Sequence, residues 1–379
     1  MKLFKNAMVL INDKFEKLDF LTDNGKFLSV ESDIQNADNC DVVDLNGKHI
    51  IAGLIDIHTH GGFGVDFNSA DKNDVLKVCH YYNEQGVTSV LPTILSDTKE
   101  TTIKSIKTVV SAKEECDTII GIHLEGPFLS KEFKGAMPEH LLLEPDVDLF
   151  LEYQKASGNI VKLTTVSPEL TGACDFAKRI TETGVICSLG HSGASQEQVF
   201  EFIESGATNA THLGNAMKQP TQHNLNVCGS VLYTDIYAEI ICDGFHINPT
   251  VIDYWFKVKD HDKIIAITDC IMAAGLCDGE YMLGVNEVVV TNGDAKLKYG
   301  NSRAGSTLKA INAVKNISKF VNIPFEQAVK FMTVNPAKSL GIFGEYGSIE
   351  ASKFANFLVL DENNDILETY VKGNCVYKA

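Results

Sequence analysis

Read for the alternation of apolar and polar positions, the chain divides into β-rich ends and a regular middle. Residues 1–50 carry short strand-like runs, LFKNAMVLIND, KFEKLDFLTDNGKFLSVES and CDVVDLNGKHI, punctuated by turn residues that include an Asn24-Gly25 pair. Residues 345–379 look similar, with FANFLVLDENNDILETYVKGNCVYKA broken by Gly, Asn and Asp. Between these ends, apolar runs at 51–60, 87–95, 119–127, 161–169, 185–192, 208–217, 238–247 and 263–270 alternate with helical patterns. NDVLKVCHYYNEQG, SQEQVFEFIESG and NPTVIDYWFKVKD are examples, the first two ending in the Gly that commonly stops a helix. The strand cores are apolar throughout, as expected of a parallel sheet covered on both faces. Eight such repeats predict an α/β fold, a (β/α)8 TIM barrel over 51–344. A doubly wound open sheet is the rival architecture. The two ends, 1–50 and 345–379, are expected to combine into one small β-sandwich domain.

Composition adds little to the fold but narrows the partners. The chain has 379 residues, 44% hydrophobic and 22% charged, which suits a soluble globular protein with a sizeable core. Its formal charge is −17, which argues against nucleic acid or an anionic membrane as the principal partner. No run of 18 apolar residues exists, and the N-terminal MKLFKNAMVLINDKFEK turns charged too soon for a signal peptide. Ten cysteines are scattered without C-x-x-C spacing and read as buried thiols of a reducing compartment, so a cytoplasmic location is expected. Arg179 and Arg303 are the only arginines. That scarcity matters because arginine is the usual clamp for anions.

The polar chemistry collects at corresponding places in the repeats. His58 and His60 end the first predicted strand, His123 and Glu125 the third, His191 the fifth and His212 the sixth; Asp243 and His246 end the seventh and Asp269 the eighth. With His223 just after the sixth strand, seven of the 11 histidines fall in these segments. In a barrel the C-terminal ends of all strands meet at one mouth. His58 and His60, two positions apart on a strand, face the same side. A lone buried His reads as a satisfied core residue, but this pair beside Glu125, His191 and His212 reads as a metal site. His and carboxylate ligands suit Zn or Fe, and such an ion lowers the pKa of bound water towards 7. Asp269 reads either as a helix N-cap or as the general base and acid of a hydrolysis; its strand-end position beside the cluster favours catalysis.

In order along the chain, GLIDIHTHGGFGVDF, HLEGPF, GHS, THLGNAM, CDGFH, TDC and RAGS resemble the motifs of the amidohydrolase superfamily, and specifically of the N-acetylglucosamine-6-phosphate deacetylase family. The resemblance covers nearly the whole chain. It implies a metal-dependent barrel with a small β-sandwich, a homodimer, and hydrolysis of the acetamide of an amino-sugar phosphate. It assigns Glu125, His191 and His212 to the main metal, His58 and His60 to a second ion, and general acid–base duty to Asp269. Gly135 and Ala136 in KGAMP, Asn215, Ala216, His246 and the position of His223 correspond to substrate contacts.

Departures from the family pattern are concentrated among those contacts. Met137 follows Gly135-Ala136 where a polar residue is common. His223 stands where a phosphate-binding arginine is expected, and Gly214 replaces an aromatic, which predicts open space near the metal. Cys270 reads as a size change. Arg303 occupies a substrate loop where a small residue is usual. It reads either as drift on an exposed loop or as a charge-assisted contact to an anion. Another N-acyl substrate on the same scaffold, such as N-acetylgalactosamine 6-phosphate, and a non-catalytic sugar-phosphate-binding protein are the alternatives to deacetylation of N-acetylglucosamine 6-phosphate.

Overall fold

A computed structural model describes residues 1–35, 40–300 and 302–379. Its central element is a parallel sheet whose strands are Leu54–Thr59, Val87–Leu95, Ile122–Glu125, Val161–Val166, Ile186–Leu189, Asn209–Ala210, Tyr237–Ile241 and Ile264–Ile267, each beside the next in chain order. The seam between the last strand and the first is closed by hydrogen bonds. The Asp269 amide donates to the His58 carbonyl at 2.9 Å, and the Thr268 hydroxyl donates to the buried Asp56 carboxylate at 2.6 Å. Asp56 bears its burial by staying protonated further up the scale: desolvation raises its pKa to about 6, against the Thr268 bond that lowers it.

Eight α-helices alternate with the strands, from Lys72–Glu84 after the first to Ala310–Val321 after the last. Several begin at local chemistry written in the sequence. Asp71 with Asp74 and Ser195 with Gln198 form reciprocal capping boxes. The strands and the inner helix faces share one apolar core, including Ile57, Leu91, Leu124, Leu163, Ile240 and Ile267. The barrel predicted from periodicity is therefore the observed fold.

The terminal strands form a separate eight-stranded sheet. Lys2–Ile11, Lys14–Asp23 and Lys26–Glu31 are joined by tight hairpins, with Asn12-Asp13 and Asn24-Gly25 all at positive φ, as a type I′ turn requires. Phe357–Leu360 from the C-terminal end pairs with His49–Ala52 from the N-terminal end, so neither end completes the sheet alone. Phe27 and Ala355 exchange backbone bonds with Lys353 and Gly25, bringing the edge strand back to the C-terminal segment. Inside lies an aromatic cluster: Phe4 stacks on Phe20 at 4.8 Å and Phe357 on Tyr370 at 4.3 Å.

A third, antiparallel sheet was not expected. Gly279–Leu283, Asn286–Thr291 and Asp294–Leu297 lie in the connection after the eighth barrel strand. Leu283, Val288 and Val290 pack with Leu129, Met137 and Leu142, so this insert braces the loop that carries Gly135 and Ala136. Asn286 adds a hydrogen bond to the Ala136 carbonyl at 2.7 Å.

Candidate metal centre and catalytic mouth

The five predicted ligands converge at the C-terminal mouth of the barrel, all buried. Glu125 is central. Its Oε1 lies 2.9 Å from His212 Nε2 and 3.2 Å from His191 Nε2, and those two nitrogens are 3.1 Å apart. Its Oε2 lies 3.3 Å from His60 Nε2, and His60 and His58 bring their Nε2 atoms within 3.3 Å. One carboxylate thus belongs to two groups, Glu125 with His191 and His212, and Glu125 with His58 and His60.

These distances fit a metal centre. Ligand bonds of about 2.0–2.2 Å in tetrahedral geometry place donor atoms roughly 3.3 Å apart. Ring nitrogens aimed at one another at that spacing, with a carboxylate oxygen among them, are the donor set that Zn²⁺ or Fe²⁺ takes. Electrostatics agree. Burial raises the Glu125 carboxyl, but His58, His191 and His212 outweigh it and hold its pKa well below the usual range. Burial likewise opposes charge on His60, yet the Asp269 and Glu125 carboxylates carry its pKa up to about 9. Buried carboxylates that favour positive charge this strongly on their neighbours are a setting that could hold a cation.

Asp269 joins the cluster from the eighth strand's end, with Oδ1 3.1 Å from His60 Nε2. Among the described residues it caps no helix, and its carboxylate faces the histidine cluster instead. Its backbone is left-handed at φ 49°, as are His191 at 48°, His212 at 30° and Ala216 at 48°. Non-glycine residues in this region cost on the order of 1–3 kcal/mol each and persist where surrounding structure imposes them, commonly at functional sites. The strands end here in sharp turns that swing these side chains over the barrel.

Above the cluster is a cavity of about 370 Å³, lined by His60, Glu125, His191, His212 and Asp269 below and by Gly135, Ala136, Asn215, Ala216, His246 and Arg303 around it. Gly135 has φ 55°, and a Cβ there would approach the His191 ring to 3.1 Å, so glycine is the residue that this close approach favours. His246 is held by Asp243, Nδ1 to Oδ2 at 2.7 Å. Two of the predicted contacts behave differently. His223 is exposed and does not line the cavity; its loop is turned outward, with the Thr221 hydroxyl accepting from the His223 and Asn224 amides. Arg303 does line it, but its guanidinium is engaged bidentately by Asp294 at 2.8 and 3.1 Å. Nor does Gly214 open space. A Cβ there would meet the Trp255 ring at 2.6 Å, so the aromatic bulk expected at 214 is supplied from the helix Pro249–Val258.

Compared with known proteins, residues 49–376 match the amidohydrolase family. The chain belongs to the amidohydrolase family. Its relatives within that family include N-acetylglucosamine-6-phosphate deacetylases. The Lysinibacillus sphaericus enzyme is 32% identical over 371 residues, covering 97% of this chain and 95% of that protein. The Vibrio furnissii enzyme is 31% identical over 361 residues, covering 94% and 90%. The crystal structure of the Pasteurella multocida deacetylase superposes with a TM-score of 0.92 at 29% identity, over 99% of both chains. The amidohydrolase motifs read from the sequence are therefore those of this branch, and the chain is a hydrolytic enzyme of it.

Several residues of this amidohydrolase site escaped the sequence reading. Asp56 holds the seam beneath Asp269, and the Phe133 carbonyl lies 2.9 Å from His191 Nδ1. Glu239, in the seventh strand, contacts His58. Its signal was visible: it is the only charge in the run YAEII.

Proposed function

We propose that this amidohydrolase removes the acetyl group of N-acetylglucosamine 6-phosphate, yielding glucosamine 6-phosphate and acetate, with one or two Zn or Fe ions per chain. The observation that carries the reading is Glu125 set between two histidine pairs, with Asp269 3.1 Å from His60 on the floor of a cavity of sugar size. Glu125, His191 and His212 would hold one ion, and His58, His60 and Glu125 a second. A divalent ion there supplies Lewis acidity for the carbonyl and acidifies the attacking water. Asp269 accepts the proton of that water as it attacks the acetamide carbon and returns it to the departing amine, so the C–N bond breaks without releasing an amide anion. His246, fixed by Asp243, orients the sugar from one wall. Asn215 and Ala216 face it from another, and the loop at Gly135 and Ala136 limits water.

A second reading keeps the chemistry and changes the substrate. It is favoured by the outward His223 and by Arg303 being engaged with Asp294, which leave the cavity without an uncommitted arginine for phosphate. Acetate release from a panel of N-acetylated hexosamines, with and without the 6-phosphate and with metal analysis of the same sample, separates the two. Cleavage of N-acetylglucosamine 6-phosphate above all others supports the first reading. Preference for the galactose epimer or for unphosphorylated sugars supports the second, and binding without turnover sinks both. We further propose a homodimer, checked by sedimentation, and a cytoplasmic location. The latter is supported by the acidic charge and scattered cysteines; among the described residues no helix is long and apolar enough to cross a membrane.

A further inference from the structure

Glu239 is fully buried in the barrel, and packing alone gives no reason for a carboxylate there. Its Oε2 lies 3.0 Å from His58 Nδ1 and 3.3 Å from the backbone amide of His212, and its own carbonyl accepts from the Leu213 amide at 2.7 Å. Its Oε1 has no hydrogen-bond partner among the described residues. A buried carboxylate with an unpaired oxygen is a cost to the fold, so its retention calls for a function.

The four histidines of the centre are backed differently. His60 Nδ1 lies 3.3 Å from the Thr93 carbonyl and His191 Nδ1 2.9 Å from the Phe133 carbonyl, both neutral acceptors. His212 Nδ1 is buried with no partner among the described residues. Among the described residues, only His58 of the four has a carboxylate at its Nδ1. That carboxylate accepts the Nδ1 proton, which leaves the lone pair on Nε2, the atom facing His60 and Glu125. The same side chain supports the left-handed backbone of His212, a ligand of the other group.

We propose that Glu239 is a positioning residue that commits His58 Nε2 to a second ion and so makes this a two-ion centre. The inference rests on reading the cluster as a metal centre. Negative charge placed behind one ligand both fixes its tautomer and strengthens its hold on a cation, and loss of such a partner typically weakens metal binding by about 10–100-fold. His58 and His60 supply the ligands, and Glu239 determines whether they bind.

The test uses full-length protein loaded with zinc or manganese and dialysed to defined free metal. Ions per chain are counted by mass spectrometry, and the manganese form is examined for a spin-coupled pair by electron paramagnetic resonance. Wild type binds a second equivalent and shows coupling. Glu239→Gln, nearly isosteric, and Glu239→Ala retain the first ion, bind the second about 10–100-fold more weakly and lose the coupling signal. Retention of both ions at wild-type affinity overturns the proposal. So does equal loss of both, which marks a merely structural role, and so does a wild type that saturates at one ion. Should neither variant fold, long-range ¹H–¹⁵N correlation on zinc-loaded wild type decides: a His58 ring protonated at Nδ1 supports the proposal and one protonated at Nε2 refutes it. Acetate release by the wild type is measured alongside. Its absence counts against the proposed reaction, whereas normal turnover with second-ion binding unchanged in the variants counts against Glu239 alone.

Discussion

The terminal sheet and the barrel mouth bury their residues for opposite reasons. In the sheet, Phe4, Phe20, Phe27, Phe357 and Tyr370 fill one core with ring against ring, and the positive φ values fall on turn residues such as Asn12, Asn24 and Gly25. At the mouth the buried residues are ionisable, and the positive φ values fall on His191, His212 and Asp269. Burial in the first case lowers free energy by removing apolar surface from water. In the second it is unfavourable unless the charges answer one another or a cation. Damage to the two regions should therefore be read on different instruments, one in stability and the other in chemistry.

The largest separation is expected from Asp269→Asn, which keeps the shape and removes the proton acceptor. Its kcat should fall by about 10²–10⁴ while the melting temperature stays near that of wild type. A variant with near-normal kcat would end the assignment. In the other region, Phe357→Ala should cost about 3–5 kcal/mol in urea unfolding by opening a cavity among stacked rings. The molecules still folded should keep their specific activity, and a matching loss of kcat would show that the two regions are not separable in this way.

Arg303→Ala is a smaller test, on the rim. If Arg303 leaves Asp294 to meet an anionic substrate, KM for a phosphorylated sugar rises roughly tenfold, since charged hydrogen bonds are worth about 1.5–3 kcal/mol, and metal content does not change. Unchanged kinetics would remove it from the site.

A further effect, confined to the alkaline range, belongs to neither region. Lys259 is buried, with Nζ donating to the Val231 carbonyl at 2.8 Å and to the Thr234 carbonyl. Desolvation lowers its pKa to about 8 from 10.5. The folded chain therefore releases this proton before the unfolded chain does. Its contribution to stability is present above 10.5 and is lost as pH falls through 8. Lys259→Met should flatten that part of the stability profile, measured by urea unfolding at pH 8 and pH 10.

What could be read in advance follows the same division. The barrel was legible because eight apolar runs recur with helices between them, and the ligands because His and Glu stand at the ends of those runs. The insert at Gly279–Leu297 was not, since its strands are short, exposed on one face and framed by Gly and Asn that read as loop. Glu239 and Asp56 were missed because each acts on a residue far away in the chain, Glu239 on His58 and Asp56 on Thr268. The space expected at Gly214 was misjudged for the same reason, because Trp255 that fills it comes from another helix.

That last contact has an experimental use. Trp255 is the only tryptophan in the chain, it is buried, and its ring lies over the glycine two positions after His212. The molecule therefore carries a single tryptophan, which red-edge excitation separates from its 11 tyrosines, beside the loop that follows a proposed metal ligand. Its emission reports on that loop without a label, and occupancy of the site can be followed optically in the unmodified protein.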